Sequence, residues 1–166
     1  MSELNATSAA LLGLLHEAPM TGGQLVAAAR AQFGSFFSVT RSQVYRELPV
    51  LARAGLLKLG EQGPRSSQQY AITTAGKRAF RLWLNSSSGP EHLRSPLILR
   101  LVHAGQLTAK QRAALVSSAR AEFVTRLQEA RAEAETVTDP YLKAAADFTV
   151  AYRRAVLTLL DAIPTD

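Results

Sequence analysis

The chain has 166 residues, 47% of them hydrophobic and 19% charged, with a formal net charge of +6. Such a length suits one domain or a small domain with an appendage, and the composition is that of a globular chain, not a disordered one. The chain has no cysteine, which removes disulfides, thiol catalysis and cysteine-ligated zinc and fits a reducing cytoplasm. Leu11 to Leu15 is too short for a secretory core, and no stretch approaches the roughly twenty apolar residues of a membrane span. The charge is uneven, with nine Lys/Arg against four Asp/Glu up to Leu84 and ten against nine beyond it. A basic first half suits a polyanionic partner.

In chain order, residues 7–16 read as a helix capped by Thr7 or Ser8, with Leu11, Leu12, Leu14 and Leu15 dense enough to be buried. Pro19 ends it. Thr21 caps a second helix, in which Leu25, Val26, Ala29 and Phe33 recur at helical spacing. Gly34-Ser35 closes that helix, and Phe36-Phe37-Ser38-Val39 forms a turn whose aromatics seal the helix pair. Thr40 caps the third helix, since its hydroxyl can accept from an unpaired amide. Val44, Leu48 and Leu51 keep the i, i+4, i+7 spacing of a buried stripe. Ser42, Arg46, Pro49 and Arg53 fall opposite, with Gln43 and Tyr45 at the flanks. Pro49 conflicts with a helix interior, yet the apolar period survives on both sides, so the helix is expected to continue with a kink. Gly55 stands where a left-handed residue ends a helix.

Leu56 to Gly60 and Gln68 to Ile72 read as strands, with Tyr70 and Ile72 alternating with polar neighbours and Gly63-Pro64 marking the turn. Helix, glycine, strand, basic loop, strand is the order of a winged helix-turn-helix. Thr40, Arg41, Ser42, Gln43, Tyr45 and Arg46 are then candidate DNA contacts on the recognition helix, and Arg65 and Ser66 candidates at the wing tip. Thr73-Thr74 caps a fourth helix, Ala75 to Leu84, whose Phe80, Trp83 and Leu84 can return to the core.

The division expected is a winged helix-turn-helix over residues 1–84, a linker over 85–92 and a helical domain over 93–166. Asn85 to His92 is rich in Ser, Gly and Pro, as linkers are. Pro96 to Gly105 is apolar nearly all round except Arg100 and must be covered. Thr108 caps a long helix over about residues 109–135, striped by Leu115, Ala119, Phe123, Leu127, Ala130 and Ala134. Asp139 and Pro140 start the last helix. There Leu142, Phe148, Tyr152, Val156 and Leu159 form a stripe, with Ala145 and Ile163, read as a dimerisation surface. A hairpin of two such helices has too little core alone, and a second copy of the chain would supply the rest.

Leu11-Leu12-Gly13-Leu14-Leu15, Pro19-Met20-Thr21-Gly22, Phe33, Phe36-Phe37, Ser42-Gln43-Val44-Tyr45, Leu51, Gly55-Leu56-Leu57 and Tyr70-Ala71-Ile72-Thr73-Thr74-Ala75-Gly76 stand in an order that resembles the PadR family of transcriptional regulators. The resemblance runs from about Ala9 to Leu84 and continues loosely beyond. Two positions depart from it: Gly23 stands where the family usually has tyrosine, and Arg46 where it usually has proline. The resemblance implies a mainly α fold with a small β-wing and a homodimeric, repressor-like protein on double-stranded DNA. It further implies backbone contact by the Tyr45 hydroxyl and relief by a small aromatic or hydrophobic effector. Trp83, just before the linker, is either core or the lining of an effector pocket. Two wings about a twofold axis would read an inverted repeat, with half-sites about 34–36 Å apart. No cofactor is expected, and His16, His92 and His103 are too scattered for a local metal motif. Nothing in the inventory supports an enzyme. A winged-helix protein-interaction module with an incidental basic face is the competing reading.

Overall fold

The computed structural model describes residues 4–34, 36–63, 67–89 and 93–165. The chain divides into two compact units, Met1–Pro90 and Glu91–Asp166. In the first, helix α1 (Ala6–Leu14) is capped by Asn5, whose side chain accepts from the Ser8 amide at 2.8 Å. The expected cap at Thr7 or Ser8 is corrected by that bond. Asn5 is the extended residue whose carboxamide reaches the third amide of the turn, while Ser8 turns inward.

A two-residue strand, β1 (Met20–Thr21), precedes α2 (Gly22–Phe33), followed by α3 (Arg41–Arg53). Thr21 and Thr40 start their helices with reciprocal capping boxes, completed by Gln24 and Gln43. Helix α3 runs unbroken through Pro49. The proline is exposed, so the Tyr45 carbonyl that loses its helical donor lies toward water on that side. Gly55 takes φ +71°, the left-handed conformation expected of it after the Ala54 cap.

Strands β2 (Leu57–Gly63) and β3 (Ser67–Ile72) pair antiparallel, with a register irregularity between Leu59 and Gln62. Strand β1 joins the other edge of β3, pairing Met20 with Tyr70, for a sheet order β1-β3-β2. Helix α4 (Thr74–Leu84) follows, capped by Thr73. The core of this unit is Leu11, Leu12, Leu14, Leu15, Leu25, Ala29, Val44, Leu48, Leu51 and Leu57, with Phe33, Tyr70, Ile72 and Phe80 packed against it. Each leucine buried there contributes about 1.5–3 kcal/mol over exposure.

The second unit holds α5 (Pro96–Val102), a 3₁₀ turn (Ala104–Gln106), α6 (Ala109–Thr136) and α7 (Pro140–Asp161). Leu101, Val116, Ala119, Val156 and Leu160 form its core, with Leu97, Leu115, Phe123, Tyr152 and Ile163 alongside. Arg120 donates to Asp161 at 2.9 Å and Arg153 to the Arg126 carbonyl, tying α7 to α6. Helix α5 is covered on one side only, since Leu99 and Val102 remain exposed within the unit. No helix among the described residues is long and apolar enough to cross a membrane.

The tightest approach in the first unit is at Gly76, where an added Cβ would lie 2.2 Å from the Leu56 carbonyl oxygen and 2.8 Å from Ile72 Cγ1. Gly76→Ala should therefore cost about 1–3 kcal/mol or more, because backbone cannot yield as a side chain can. Gly23→Ala, with only Thr21 Oγ1 at 4.0 Å, should be neutral or stabilise by about 0.4–1 kcal/mol. Denaturant midpoints for the two variants check both signs.

Candidate nucleic-acid interface

The third helix presents two unlike sides. Val44 and Leu48 are fully buried and Leu51 nearly so, which anchors the helix to the leucines of the first unit's core. Arg41, Ser42, Tyr45, Arg46, Pro49 and Arg53 are exposed. Arginine, serine and tyrosine on one exposed side supply donors for phosphate oxygens and for base edges.

The sequence-predicted residues divide by what they already touch. Thr40 and Gln43 are occupied with each other. Gln43 Oε1 accepts from the Thr40 amide at 2.8 Å, and Thr40 Oγ1 accepts from the Gln43 amide at 3.3 Å. They set the helix start. Ser42 Oγ lies 3.1 Å from Thr40 Oγ1. The Arg41 guanidinium lies over the Tyr45 ring, 5.4 Å from its centroid. That ring also packs on Gly22, where an added Cβ would meet Tyr45 Cε1 at 2.9 Å, so the glycine at the start of α2 makes room for the tyrosine of α3. Arg46 is largely exposed, and its Nε donates to Glu47 Oε1 at 3.1 Å. Arg65 and Ser66 lie outside the described residues.

Glu47 is the buried polar residue of this helix that sequence reasoning missed. It is 6% exposed, on the same side of α3 as Val44, Leu48 and Leu51. Its Oε2 accepts from Ser8 Oγ at 2.8 Å and from Asn5 Nδ2 at 3.1 Å, which joins α3 to α1. Burial alone pushes the Glu47 carboxyl upward. The hydrogen bonds from Ser8, Asn5 and Arg46, with the Arg46 charge, outweigh burial and hold it below its ordinary value. The signal was available: an acid three residues after Val44 and four before Leu51 falls on a buried stripe.

Trp83 is half-buried and stacks on Phe80, with ring centroids 6.4 Å apart and planes 10° from parallel. Phe80 itself packs against the core and closely on Gly13. Of the residues read as a dimer surface, Leu142 and Phe148 are exposed, and Tyr152 and Leu159 are partly buried. Val156 is 4% exposed and sits in the unit's own core. Its place in the stripe is therefore taken by packing within one chain. The core side of α7 runs through Thr149, Val156 and Leu160. At 100° per residue, Tyr141, Phe148, Tyr152 and Leu159 fall within roughly 40° of one another; Tyr152 and Leu159 also pack against the unit's core, whereas Tyr141 and Phe148 are exposed. Among the described residues, no group of His, Asp and Glu could hold a metal ion.

Residues 11–82 match the family described as "Transcriptional regulator PadR-like family". The "Negative transcriptional regulator PadR" of Bacillus subtilis (strain 168) is 26% identical over 138 residues, which is 81% of this chain and 72% of that protein. The fold matches the Bacillus subtilis PadR crystal structure in complex with operator DNA, with TM-score 0.80, 20% identity, and 96% of this chain and 97% of that one covered. It also matches the structure of that protein in complex with p-coumaric acid, with TM-score 0.65, 19% identity, and 95% and 99% coverage.

The Glu47 arrangement has a pH signature. Because its folded-state pKa is lowered, its contribution to stability is complete above the ordinary value of 4.5 and is lost as pH falls through the folded value. The stability advantage of the wild type over Glu47→Gln should thus be constant at neutral pH and shrink below 4.5. Denaturant midpoints of both proteins, followed from about pH 7 to pH 3, check this; an advantage that grows on acidification contradicts it.

Proposed function

This chain belongs to the PadR-like family of transcriptional regulators, and from that premise we propose a DNA-binding repressor that acts as a homodimer on an inverted-repeat operator. The observation that carries the reading is the exposed side of α3, where Arg41, Ser42, Tyr45, Arg46 and Arg53 stand clear of a core-anchored helix. Arg46 is assigned to base edges in the major groove, and Tyr45 and Ser42 to the backbone. Thr40 and Gln43 orient the helix start, and Arg65 and Ser66 are assigned to the wing contacts. The negative role follows the printed description of the Bacillus subtilis relative, and the operator reading follows the complex of that same protein. A protein of this kind works beside the chromosome, in the cytoplasm. The family is one of regulators, not enzymes.

Homodimerisation is supported by the aromatic stripe on α7. Tyr141 is 85% and Phe148 61% exposed, and no soluble helix gains from such rings in water. A second copy of the same helix would cover them about a twofold axis. The paired wings then require half-sites about 34–36 Å apart, one duplex turn. The p-coumaric acid complex of the relative supports a small planar aromatic acid as effector. Trp83 is the candidate ring to meet it, through the part that its stacking on Phe80 leaves exposed.

The test is competition binding between an operator-containing duplex and random duplex. Arg46→Ala should lose about 1–3 kcal/mol on the operator and relax discrimination at one base position, whereas Arg65→Ala should weaken all duplexes alike. Phe148→Glu should yield monomers in sedimentation, because a charge on a dry interface costs several kcal/mol unless paired. Equal losses on both duplexes for Arg46→Ala would leave it a phosphate anchor, and an intact dimer in Phe148→Glu would remove α7 from the interface.

A further inference from the structure

The carboxylate under α3 does two things at once. Through Oε2 it is fixed to α1 by Ser8 and Asn5, at 2.8 and 3.1 Å. Through Oε1 it holds the Nε of the adjacent Arg46 at 3.1 Å. Neither partner on α1 is free to move. Asn5 Oδ1 is bound to the Ser8 amide as the helix cap, so its Nδ2 must face Glu47. The glutamate is thus the buried, doubly anchored acceptor, and Arg46 is its exposed partner.

An arginine reaches a guanine with two of its five N–H groups, either side-on through Nε and one η nitrogen or end-on through both η nitrogens. With Nε already donating to Glu47, the side-on pair is occupied and the end-on pair faces outward. Adjacent positions on a helix do not ordinarily face each other, so this contact depends on the arginine folding its Nε back toward the buried side. A long side chain held at one end also loses less freedom on binding than a free one.

We propose that Glu47 is a positioning residue for base recognition, tethering Arg46 by its Nε so that the arginine meets a base end-on, with α1 as the anchor of the tether. The proposal rests on the reading of α3 as the DNA-contacting helix. Glu47 touches no base. Its effect on specificity passes wholly through Arg46, whereas its effect on stability passes through Ser8 and Asn5.

That separation gives the test. The probe is a duplex enriched by the wild-type protein from random-sequence DNA, compared with scrambled duplex, using the full chain. Glu47→Gln should lower discrimination by at least about fivefold, the lower end of what one bidentate contact provides. In the Arg46→Ala background the same change should lower it no further, because the residue it positions is gone. Ser8→Ala, which leaves Asn5 still holding Oε2, should lower the melting temperature and reduce discrimination by less than Glu47→Gln does. Glu47→Asp, which keeps the charge but shortens its reach, should behave as Glu47→Gln and serves if the latter does not fold. Without DNA, the ¹⁵N–¹H resonance of Arg46 Nε should exchange slowly in the wild type and rapidly in Glu47→Gln. Unchanged discrimination in the glutamate variants, or losses that add to those of Arg46→Ala, would overturn the proposal. If the wild type discriminates between no duplexes, the DNA reading falls and takes the proposal with it, while a slow Nε resonance would still show the tether itself to be real.

Discussion

A carboxylate placed inside an apolar helix contact is costly unless every lone pair finds a donor. In this protein three side chains supply them, Ser8 and Asn5 from α1 and Arg46 from α3 itself. The consequence is directional. Apolar packing of Val44, Leu48 and Leu51 would hold α3 on the core through a range of small rotations, because dispersion is not specific about angle. The apolar stripe of Val44, Leu48 and Leu51 turns the arginines, serine and tyrosine outward, and the hydrogen-bonded carboxylate narrows the rotation that the stripe leaves open.

The remaining devices in the first unit extend the same control. Reciprocal capping by Thr21 with Gln24 and by Thr40 with Gln43 fixes where each helix begins. Gly22 admits the Tyr45 ring at contact distance, so the start of α2 and the first turn of α3 are interlocked. Gly76 lets α4 lie against the Leu56 carbonyl, beside the Thr73 hydroxyl that donates to the Gly55 carbonyl at 2.8 Å. The second unit works differently. It builds a small core between α5, α6 and α7 and leaves the Tyr141 and Phe148 rings exposed on α7.

Much of this was legible in the sequence, and the misses share a cause. The third helix could be placed because its cap, apolar period and left-handed glycine all agree, and Pro49 did not break it because it lies on the exposed side. The strand pair could be placed from alternation around Tyr70 and Ile72. The edge strand Met20–Thr21 could not, since two residues carry no period and exist as a strand only through pairing with β3. Asn5 was passed over as a cap because Thr7 and Ser8 are equally good capping types, and tertiary burial of Ser8 decided between them. Val156 reads from periodicity as dimer surface but is buried in the unit's own core, and Tyr152 and Leu159 pack partly against it, a distinction that periodicity alone cannot draw. Glu47 was missed for a related reason: a charged residue is read as exposed by type, although its position put it in the buried stripe.

On the proposed reading, the basic, exposed side of α3 and the wing meet the phosphates and bases of duplex DNA. The most direct measurement is the affinity for duplex DNA as a function of salt concentration. Neutralising phosphates with arginine and lysine releases counterions, so the logarithm of the binding constant should fall linearly with the logarithm of salt, at a slope of about −0.9 for each phosphate contacted. A slope of several units is the predicted result. A flat response, or no binding at low salt, would contradict the account and mark the winged unit as a protein-interaction module whose positive charge is incidental.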